Sequence, residues 1–359
     1  MAESGAARST QGTGPQTRPP TMRDVAAAAG VSKALVSMIF RNAPGPSAQS
    51  RSHVLAVAER IGYRPNRTAS MLARRRNKQL GVMMTLRDSF QAELAEEMQA
   101  AADTAGYEIV LGAVTRSHGE RRAVETLLEF RCEALLLIHP QADTEELAAL
   151  AAQVPVVVVG RRVQHPDVAV VRGDDLVGMR TLVEHLVELG HRNIVHVDGG
   201  DADGGAAPHD RRQGYLTAMR EHGLDEYIRT MPGGPTEFDG AAAAETLLAE
   251  DHDLPTAIVA YNDRSAVGIL DRLTRAGVDV PGRVSLTGFG DSPIVQSPRA
   301  RLTTVRQDAR RQARLAVEAA IGRLEGRISR PHETVLTPRL QIRTSTAPPR
   351  HAAAARNAS

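Results

Sequence analysis

The sequence has 359 residues, of which 42 % are hydrophobic, 24 % are charged and only 3 % are aromatic. A chain of this length supports two or three compact domains with sizeable cores. No apolar run approaches the roughly 18 residues that span a bilayer, and the polar N-terminus has no secretory h-region. The single cysteine, Cys132, excludes a disulfide framework and a multi-cysteine zinc site, and it is typical of a reducing cytosol.

The net charge of +2 conceals an uneven distribution along the chain. Residues 1–79 contain thirteen Lys and Arg against three Asp and Glu, a net charge of +10. The rest of the chain contains thirty-one basic and thirty-nine acidic residues, a net charge of −8. A basic head on an acidic body predicts that the head binds a polyanion, most simply nucleic acid. A basic tail that only keeps the protein soluble is the alternative at this point.

The two ends of the sequence have the composition of disordered tails. Residues 1–20 consist mainly of Ser, Thr, Gly, Gln, Pro and Ala without any apolar periodicity, and residues 344–359 contain two prolines and an Ala-rich end. Segments of this kind bury too little apolar surface to offset the entropy lost on folding. Both segments are therefore predicted to be disordered.

Residues 21–65 predict three short helices. Thr21, Ser32 and Ser47 can each cap the start of one helix, and Gly30 can end the first. The first two helices are joined by a tight glycine-containing turn. This arrangement predicts a helix-turn-helix domain, in which the second helix enters the major groove of DNA.

From residue 80 onward, short apolar runs alternate with amphipathic helices. Runs such as Ala134–Ile138 are apolar throughout, which is typical of strands buried on both faces of a parallel sheet. The alternation repeats after residue 174, which predicts two α/β lobes whose strand ends face a shared cleft. The predicted segments are a hinge and linker at 66–79 and a core at 80–343, with lobe 1 at about 80–173 and 308–335 and lobe 2 at about 174–307 and 336–343. The predicted fold class is α/β, a helix-turn-helix domain followed by a two-lobed, doubly wound parallel-sheet core.

Several short motifs follow one another in register along both parts of the chain. The head contains Thr21-Met-Arg-Asp-Val-Ala-Ala-Ala-Ala-Gly-Val-Ser32, Val36-Ser37 and Gly62-Tyr-Arg-Pro-Asn-Arg-Thr-Ala-Ser-Met-Leu72. The body contains Gly190-His-Arg-Asn-Ile194, Arg211-Arg-Gln-Gly-Tyr215, Tyr261-Asn-Asp263 and Leu302-Thr-Thr-Val305 with Gln307. Together they resemble the lac-repressor (LacI/GalR) family of bacterial regulators as far as about residue 343. The resemblance implies a core similar to periplasmic sugar-binding proteins.

The resemblance places the base-reading side chains at the start of the second helix. Lys33 and Ala34 sit where the family selects operator bases; Lys33 can donate to guanine, whereas Ala34 offers only an apolar contact. Ser37 and Met38 follow, and Met38 stands where the family usually has arginine, with a partly buried packing role as the alternative. The other head residues expected at DNA are Thr21, Ser32, Ser47, Ser50 and Tyr63. The four hydroxyl residues among them are expected to cap helices and to donate to phosphate, which fixes register without reading sequence.

The segment after the helix-turn-helix resembles the hinge helix of the family, which pairs with its dimer mate in the minor groove. Leu72 occupies the position of the leucine that wedges into the central base step and kinks the duplex. Asn66, Arg67 and Ala69 match the same segment. An ordinary helical residue is the alternative interpretation of Leu72.

The resemblance also implies that the two lobes of the core close on a small polar effector, a sugar or a derivative. The expected effector-binding residues are Asp88, Phe90, Arg161, Arg211, Asn262, Phe289 and Asp291. Phe289 is expected to stack on a sugar ring, and a plain surface ion pair is the alternative for Arg211 and Asp291. Gly160 and Gly290 depart from the family, because many members carry aspartate at these positions.

These observations favour a sequence-specific transcription factor over two other classes of protein. The resemblance implies a repressor, because repression is the commoner activity in the family. A transport binding protein would not need residues 21–76, and none of GxGxxG, GxxxxGK[ST], HExxH or GxSxG is present to indicate an enzyme. No catalytic residue, cofactor or metal is expected, and His191 and His196 are interpreted as structural. The expected partners are a palindromic double-stranded operator, a small-molecule effector and a second copy of the chain, with no membrane. The tail lacks the heptad leucines of tetrameric relatives, and the expected location is the cytoplasm at the nucleoid.

Overall fold

A computed structural model describes residues 18, 20–41, 43–64, 76–200, 206–250, 253–297 and 300–350. The chain divides into two compact units, 1–77 and 78–359. No helix within the described ranges is both long and apolar enough to cross a membrane.

The described residues of the first unit form three helices, α1 (Met22–Ala29), α2 (Lys33–Phe40) and α3 (Ala48–Arg60), as the sequence predicts. Their shared core consists of apolar side chains from all three helices: Val25, Ala26, Ala29, Val36, Ile39, Val54, Val57 and Ala58. Tyr63 closes this core after α3. Its side chain is buried, and its ring meets the ring of Phe40 edge-on, with the ring centroids 5.3 Å apart.

Three of the four hydroxyl residues predicted as helix caps do begin helices. The hydroxyl oxygens of Ser32 and Ser47 each accept a hydrogen bond at 3.1 Å, from the third backbone N–H of α2 and of α3 respectively. Thr21 instead donates, from its backbone N–H and its hydroxyl, to the Asp24 carboxylate at 2.7 Å each. The prediction of a cap at Ser50 is wrong, because Ser50 is the third residue of α3 and supplies the N–H that Ser47 binds.

The second unit begins at β1 (Gln79–Thr85), so that the linker predicted to reach residue 79 ends earlier. The elements that follow are α4 (Ser89–Thr104), β2 (Glu108–Val114), α5 (Glu120–Glu129), β3 (Ala134–Ile138), α6 (Thr144–Ala151), β4 (Val156–Val159), β5 (Val168–Gly173), α7 (Asp175–Glu188), β6 (Ile194–Val197), α8 (Ala206–Glu221), β7 (Arg229–Met231), α9 (Glu237–Ala249), β8 (Ala257–Ala260), α10 (Asp263–Arg275), β9 (Ser285–Thr287), α11 (Pro293–Gln296), β10 (Thr304–Arg306), α12 (Ala309–Leu324), β11 (Glu333–Leu336) and β12 (Arg339–Gln341).

The first lobe is a six-stranded parallel sheet in the order β11-β5-β4-β3-β1-β2. Because successive side chains of a strand point to opposite faces, the all-apolar strand β3 supplies both sides of the lobe. Leu136 and Ile138 pack on the face covered by α4 and α12, whereas Leu135 and Leu137 pack on the face covered by α5 and α6. This confirms that β3 is buried on both faces.

The second lobe is a four-stranded parallel sheet in the order β7-β6-β8-β9, accompanied by an antiparallel pair, β10 and β12. On one side of the four-stranded sheet, α9 and α10 approach each other very closely. A Cβ built on Gly240 would collide with the backbone carbonyl of Ser265, and one on Gly268 with that of Glu237. Only glycine at both positions allows this backbone-to-backbone approach.

The chain after residue 343 is partly built into the second lobe, so the prediction of a disordered tail from 344 onward is wrong for residues 344–350. Ser345 is buried, and its hydroxyl donates to the carbonyl of Leu286 at 2.6 Å and accepts from the N–H of Thr303 at 2.8 Å. The first seventeen residues and residues 351–359, also predicted as tails, lie outside the described residues.

His191 and His196 have structural surroundings, as the sequence predicts. A ring nitrogen of His191, Nε2, lies 2.9 Å from the carbonyl of Ala347. In His196, which lies on β6 and is fully buried, Nδ1 is 3.0 Å from the carbonyl of Val259. Burial lowers the pKa of His196 to about 4. The folded protein therefore holds this imidazole neutral, with Nδ1–H as the donor to Val259.

The buried neutral His196 predicts acid sensitivity. The pKa of histidine is near 6.5 in an unfolded chain. Between pH 6.5 and 4, the unfolded state therefore binds a proton at His196 that the folded state does not bind. The free energy of unfolding should therefore fall with pH, by about 2 kcal/mol between pH 7 and pH 5 from this group alone. Urea denaturation at the two pH values checks this. In His196→Asn, whose amide can replace the Nδ1–H donor, the loss should be smaller by that amount; equal pH dependence in both proteins would contradict the prediction.

Candidate functional site

A cavity of about 830 Å³ lies between the two lobes of the second unit, within the range typical of small-molecule sites. Loops at the carboxyl ends of the parallel strands form its walls, as expected for doubly wound sheets. Six of the seven predicted effector-binding residues line this cavity: Asp88, Phe90, Arg161, Arg211, Asn262 and Phe289. The seventh, Asp291, does not.

Arg211 on α8 is held rigidly at the base of the cavity. Its Nε donates to Asp175 Oδ2 at 3.0 Å, and its Nη1 donates to the carbonyl of Tyr261 at 2.9 Å. The guanidinium carbon lies 4.0 Å from the ring centroid of Phe289 and 4.6 Å from that of Tyr261. Arg211 and Asp175 are both buried, so the alternative of a surface ion pair is excluded for Arg211. The side chain is thus fixed by charge, hydrogen bonds and cation–π contacts.

Phe289 does not offer a ring face to a ligand, and its predicted role in stacking on a sugar is wrong. The side chain is only 2 % exposed. The Arg211 guanidinium covers its ring, and α7 packs so closely that a Cβ built on Gly178 would stand 2.8 Å from two ring carbons. Phe289 instead supports Arg211 from within the lobe.

Asp291 faces away from the cavity, and its predicted contact with effector hydroxyls is wrong. Its carboxylate is 1 % exposed and binds two arginines, Arg306 Nε at 2.6 Å and Arg343 Nη2 at 2.5 Å. Its neighbours Gly290 and Ser292 do line the cavity. Arg306 on β10 and Arg343 just after β12 hold the carboxylate on the side of the loop that faces away from the cavity.

Asp88 and Asn262 line the cavity and also accept hydrogen bonds from the starts of helices. Asp88 Oδ1 accepts from the N–H groups of Phe90 and Gln91 at 2.9 and 3.1 Å, at the start of α4. Asn262 Oδ1 accepts from the N–H of Ser265 at 2.8 Å, at the start of α10, and its Nδ2 donates to the carbonyl of Pro235 at 3.0 Å. Both residues therefore also position the two helix starts that border the cavity.

His139, which was not predicted from the sequence as a site residue, explains the departure at Gly160. It follows β3 directly and lines the cavity. A Cβ built on Gly160 would stand 2.5 and 2.6 Å from Cε1 and Cδ2 of the His139 ring, and nearer still to Nε2. Gly160 also has φ +93°, which disfavours any residue with a side chain. The imidazole thus occupies the space that an aspartate at 160 would need. The available signal was a polar residue at the carboxyl end of a buried strand.

Asp263, the second residue of the Asn-Asp motif, explains the departure at Gly290. Its buried carboxylate accepts from Ser292, from the backbone N–H at 2.6 Å and the hydroxyl at 2.9 Å, and from the Thr304 hydroxyl at 2.6 Å. Burial raises the pKa of this carboxyl. A Cβ on Gly290, where φ is +134°, would stand 3.3 Å from Asp263 Oδ2. An aspartate at 290 would therefore place a second carboxylate against a buried one.

In the head, α2 presents the predicted base-reading side chains to solvent. Lys33 and Ala34 are exposed, whereas Ser37 and Met38 are half-buried. The methyl of Met38 lies 3.2 Å from where a Cβ on Gly45 would stand, which favours the packing interpretation of Met38. Ser32 and Ser47 are exposed and Thr21 and Ser50 half-buried, whereas Tyr63, expected at DNA, is a core residue with 8 % of its surface exposed. The hinge residues Asn66, Arg67, Ala69 and Leu72 lie outside the described residues.

A helix-turn-helix unit and a two-lobed core with a ligand-sized cleft, combined in one chain, are typical of ligand-controlled DNA-binding regulators. Residues 21–66 match the model of bacterial regulatory proteins of the lacI family, and residues 183–346 match a periplasmic binding protein-like domain. The chain is 32 % identical over 333 residues to the HTH-type transcriptional regulator GalR of Escherichia coli K12, covering 92 % of this chain and 96 % of that protein. The chain belongs to the lacI family of bacterial regulatory proteins.

Solved structures agree with this assignment. A LacI transcriptional regulator from a Rhodococcus species is 45 % identical, with a TM-score of 0.71, and the match covers 75 % of this chain and 98 % of that one. The lac repressor dimer bound to operator and the anti-inducer ONPF is 26 % identical, with a TM-score of 0.78, over 92 % of this chain and all of that one.

Proposed function

We propose that this protein is a transcriptional repressor that binds a palindromic operator as a homodimer, under the control of a small polar metabolite in the interlobe cleft. The metabolite is a sugar or a sugar derivative. The observation that carries the proposal is the cavity of about 830 Å³ in a chain that also carries a helix-turn-helix head with Lys33 exposed. The lac repressor, whose fold is similar, is a dimer bound to both an operator and an anti-inducer.

Hydrogen bonds connect Arg211 in the cleft to the segment that crosses between the lobes. Asp175 accepts from Arg211 with one oxygen and from Gln307 Nε2 with the other, the latter at 3.0 Å. Gln307 lies between β10 of the second lobe and α12 of the first. A ligand that binds Arg211 therefore acts on a group that is hydrogen-bonded to the interlobe crossing. Different affinities of the ligand for two lobe arrangements would shift the population that binds DNA.

Two other classes of function account for less of the molecule. A transport binding protein would use the core, but it would leave the helix-turn-helix head without a role. The proposal includes no catalysis and no cofactor, and it places the protein at the nucleoid in the cytoplasm, where operator DNA is found.

The hinge segment supplies the sharpest test of the proposed DNA binding. Leu72→Ala should weaken binding to the specific operator by several-fold or more, because the apolar wedge stabilises the kinked duplex. Non-specific binding should persist, since it depends on phosphate contacts. Fluorescence anisotropy with operator and scrambled duplexes measures both. Met71→Ala, which removes a neighbouring apolar side chain, is the matched control; equal operator affinity of Leu72→Ala and the unmodified protein would refute the wedge.

A further inference from the structure

Basic side chains follow four neighbouring strands of the first lobe where those strands end at the cavity. In the sheet order β4-β3-β1-β2, the residues are Arg161, His139, Arg87 and Arg116, and all four line the cavity. Adjacent strands lie about 4.8 Å apart, so these four side chains, here called the basic row, extend across one wall of the cleft. Of this row, only Arg161 was predicted from the sequence to bind an effector.

None of the three arginines of the basic row forms an ion pair with a carboxylate of the described residues. Within the described part of the chain, no carboxylate oxygen lies within 4.0 Å of the guanidinium nitrogens of Arg87, Arg116 or Arg161. Arg161 Nε is in addition buried and has no hydrogen-bond partner there. The other two arginines of the cavity are different, because Arg211 pairs with Asp175 at 3.0 Å and Arg264 pairs with Glu237 at 2.6 Å.

The acidic residues of the cavity are already engaged. Asp88, Glu120 and Asp263 each lie at the start of a helix, where the positive end of the helix dipole stabilises a carboxylate. Asp88 accepts from two N–H groups of α4, and Asp263 from Ser292 and Thr304, as described above. The two oxygens of Glu120 accept from the N–H of Gln141 at 2.8 and 2.9 Å. Burial lowers the pKa of His139, so the cationic donors of the first-lobe wall are its three arginines. Glu120 and Asp143 act electrostatically on Arg161 but form no ion pair with it.

From this arrangement we infer that the effector carries an anionic group, a carboxylate or a phosphate, and that the basic row binds it, with Arg161 as the principal contact. Charge-assisted hydrogen bonds to carboxylate and phosphate are stronger than bonds to hydroxyls, and the planar guanidinium matches both anions. Gly160 and Gly290 fit this assignment, because neither position adds a carboxylate that would repel the ligand. The inference rests on the proposed function, since it specifies the class of ligand that the same cleft binds.

Calorimetry on the full chain without DNA tests the ligand class. The probes are glucose and galactose, the uronate and the 6-phosphate of each, and inorganic phosphate. At least one anionic probe should bind at least tenfold more tightly than its neutral parent sugar, and its affinity should fall as salt is added. Comparison of uronates with phosphates then identifies the anionic group. The inference is overturned if no anionic probe binds more tightly than its neutral parent.

Two neighbouring arginines provide matched variants. Arg161→Gln should reduce the affinity ratio between the anionic probe and its parent at least tenfold. Arg162→Gln should leave that ratio unchanged, because Arg162 is exposed and does not line the cavity. Equal ratios in the two variants would overturn the assignment of Arg161. A neutral sugar that binds and releases operator would overturn the inference but leave the proposed function intact, whereas failure to bind any duplex would count against the proposed function alone.

Discussion

Asp291→Ala is expected to lower the free energy of unfolding by about 3–5 kcal/mol, because it leaves two cations without their shared carboxylate. Asp291 is buried, and of its partners Arg343 is mostly buried, with 18 % of its side chain exposed, whereas Arg306 is half-exposed. The penalty should come mainly from Arg343, which the variant leaves uncompensated in a site of low dielectric. Urea denaturation of the full chain measures the change.

A surface pair provides the control for this variant. Asp279 and Arg350 form an ion pair at 2.9 Å, with both side chains more than half exposed. Asp279→Ala should cost at most about 1 kcal/mol, since solvent screens such pairs. If Asp291→Ala and Asp279→Ala had equal effects on stability, the assignment of Asp291 as a buried structural anion would be wrong, and its role as an effector contact would have to be reconsidered.

Gly160→Asp is expected to lower the free energy of unfolding by about 2–4 kcal/mol, combining a strained backbone with overpacking. The new Cβ would overlap the His139 ring, and φ +93° at residue 160 disfavours every residue with a side chain. The substitution restores the aspartate that many family members carry at this position. The expected loss of stability therefore comes from the contact with His139. Thermal or urea unfolding measures it.

Gly119, which lines the cavity, provides a direct comparison. A Cβ built on Gly119 meets no atom within 4 Å, and its φ is −73° at the start of α5. Gly119→Asp should therefore be neutral or stabilising, since aspartate is a good N-cap. In the His139→Ala background, Gly160→Asp should lower the free energy of unfolding by less, because the overpacking is relieved. The part of the loss that comes from backbone strain should remain. Equal stability of the Gly119 and Gly160 variants would contradict the expected overpacking and backbone strain at residue 160.

Local sequence signals predicted the parts of the fold that depend on near neighbours. The caps at Ser32 and Ser47 involve residues three apart, and the all-apolar run of β3 carries its own signal of burial. Short strands that pair across long distances were missed. β11 pairs in parallel with β5, although Glu333 and its partner Val170 are far apart in sequence. The ordered residues after 343 were missed for the same reason, because Ser345 is held by partners in other elements.

The candidate site, too, could be predicted from the sequence only in part. The resemblance to a family places a residue along the chain, but the direction of its side chain depends on distant partners. Asp291 turns away because Arg306 and Arg343 bind it, and Phe289 is covered because Arg211 packs on it. The contact between His139 and Gly160 arises only when β3 and β4 lie side by side in the sheet. No pattern in the sequence indicates that these residues contact one another.

The claim that this chain reads a specific operator as a two-fold symmetric dimer under metabolite control can be tested by selecting bound duplexes from a random library, with the purified full chain at moderate salt. We expect enrichment of a palindrome with a flexible central step, and a changed yield of that palindrome when a metabolite extract is added. Failure to enrich any duplex above background, both with and without the extract, would contradict the claim.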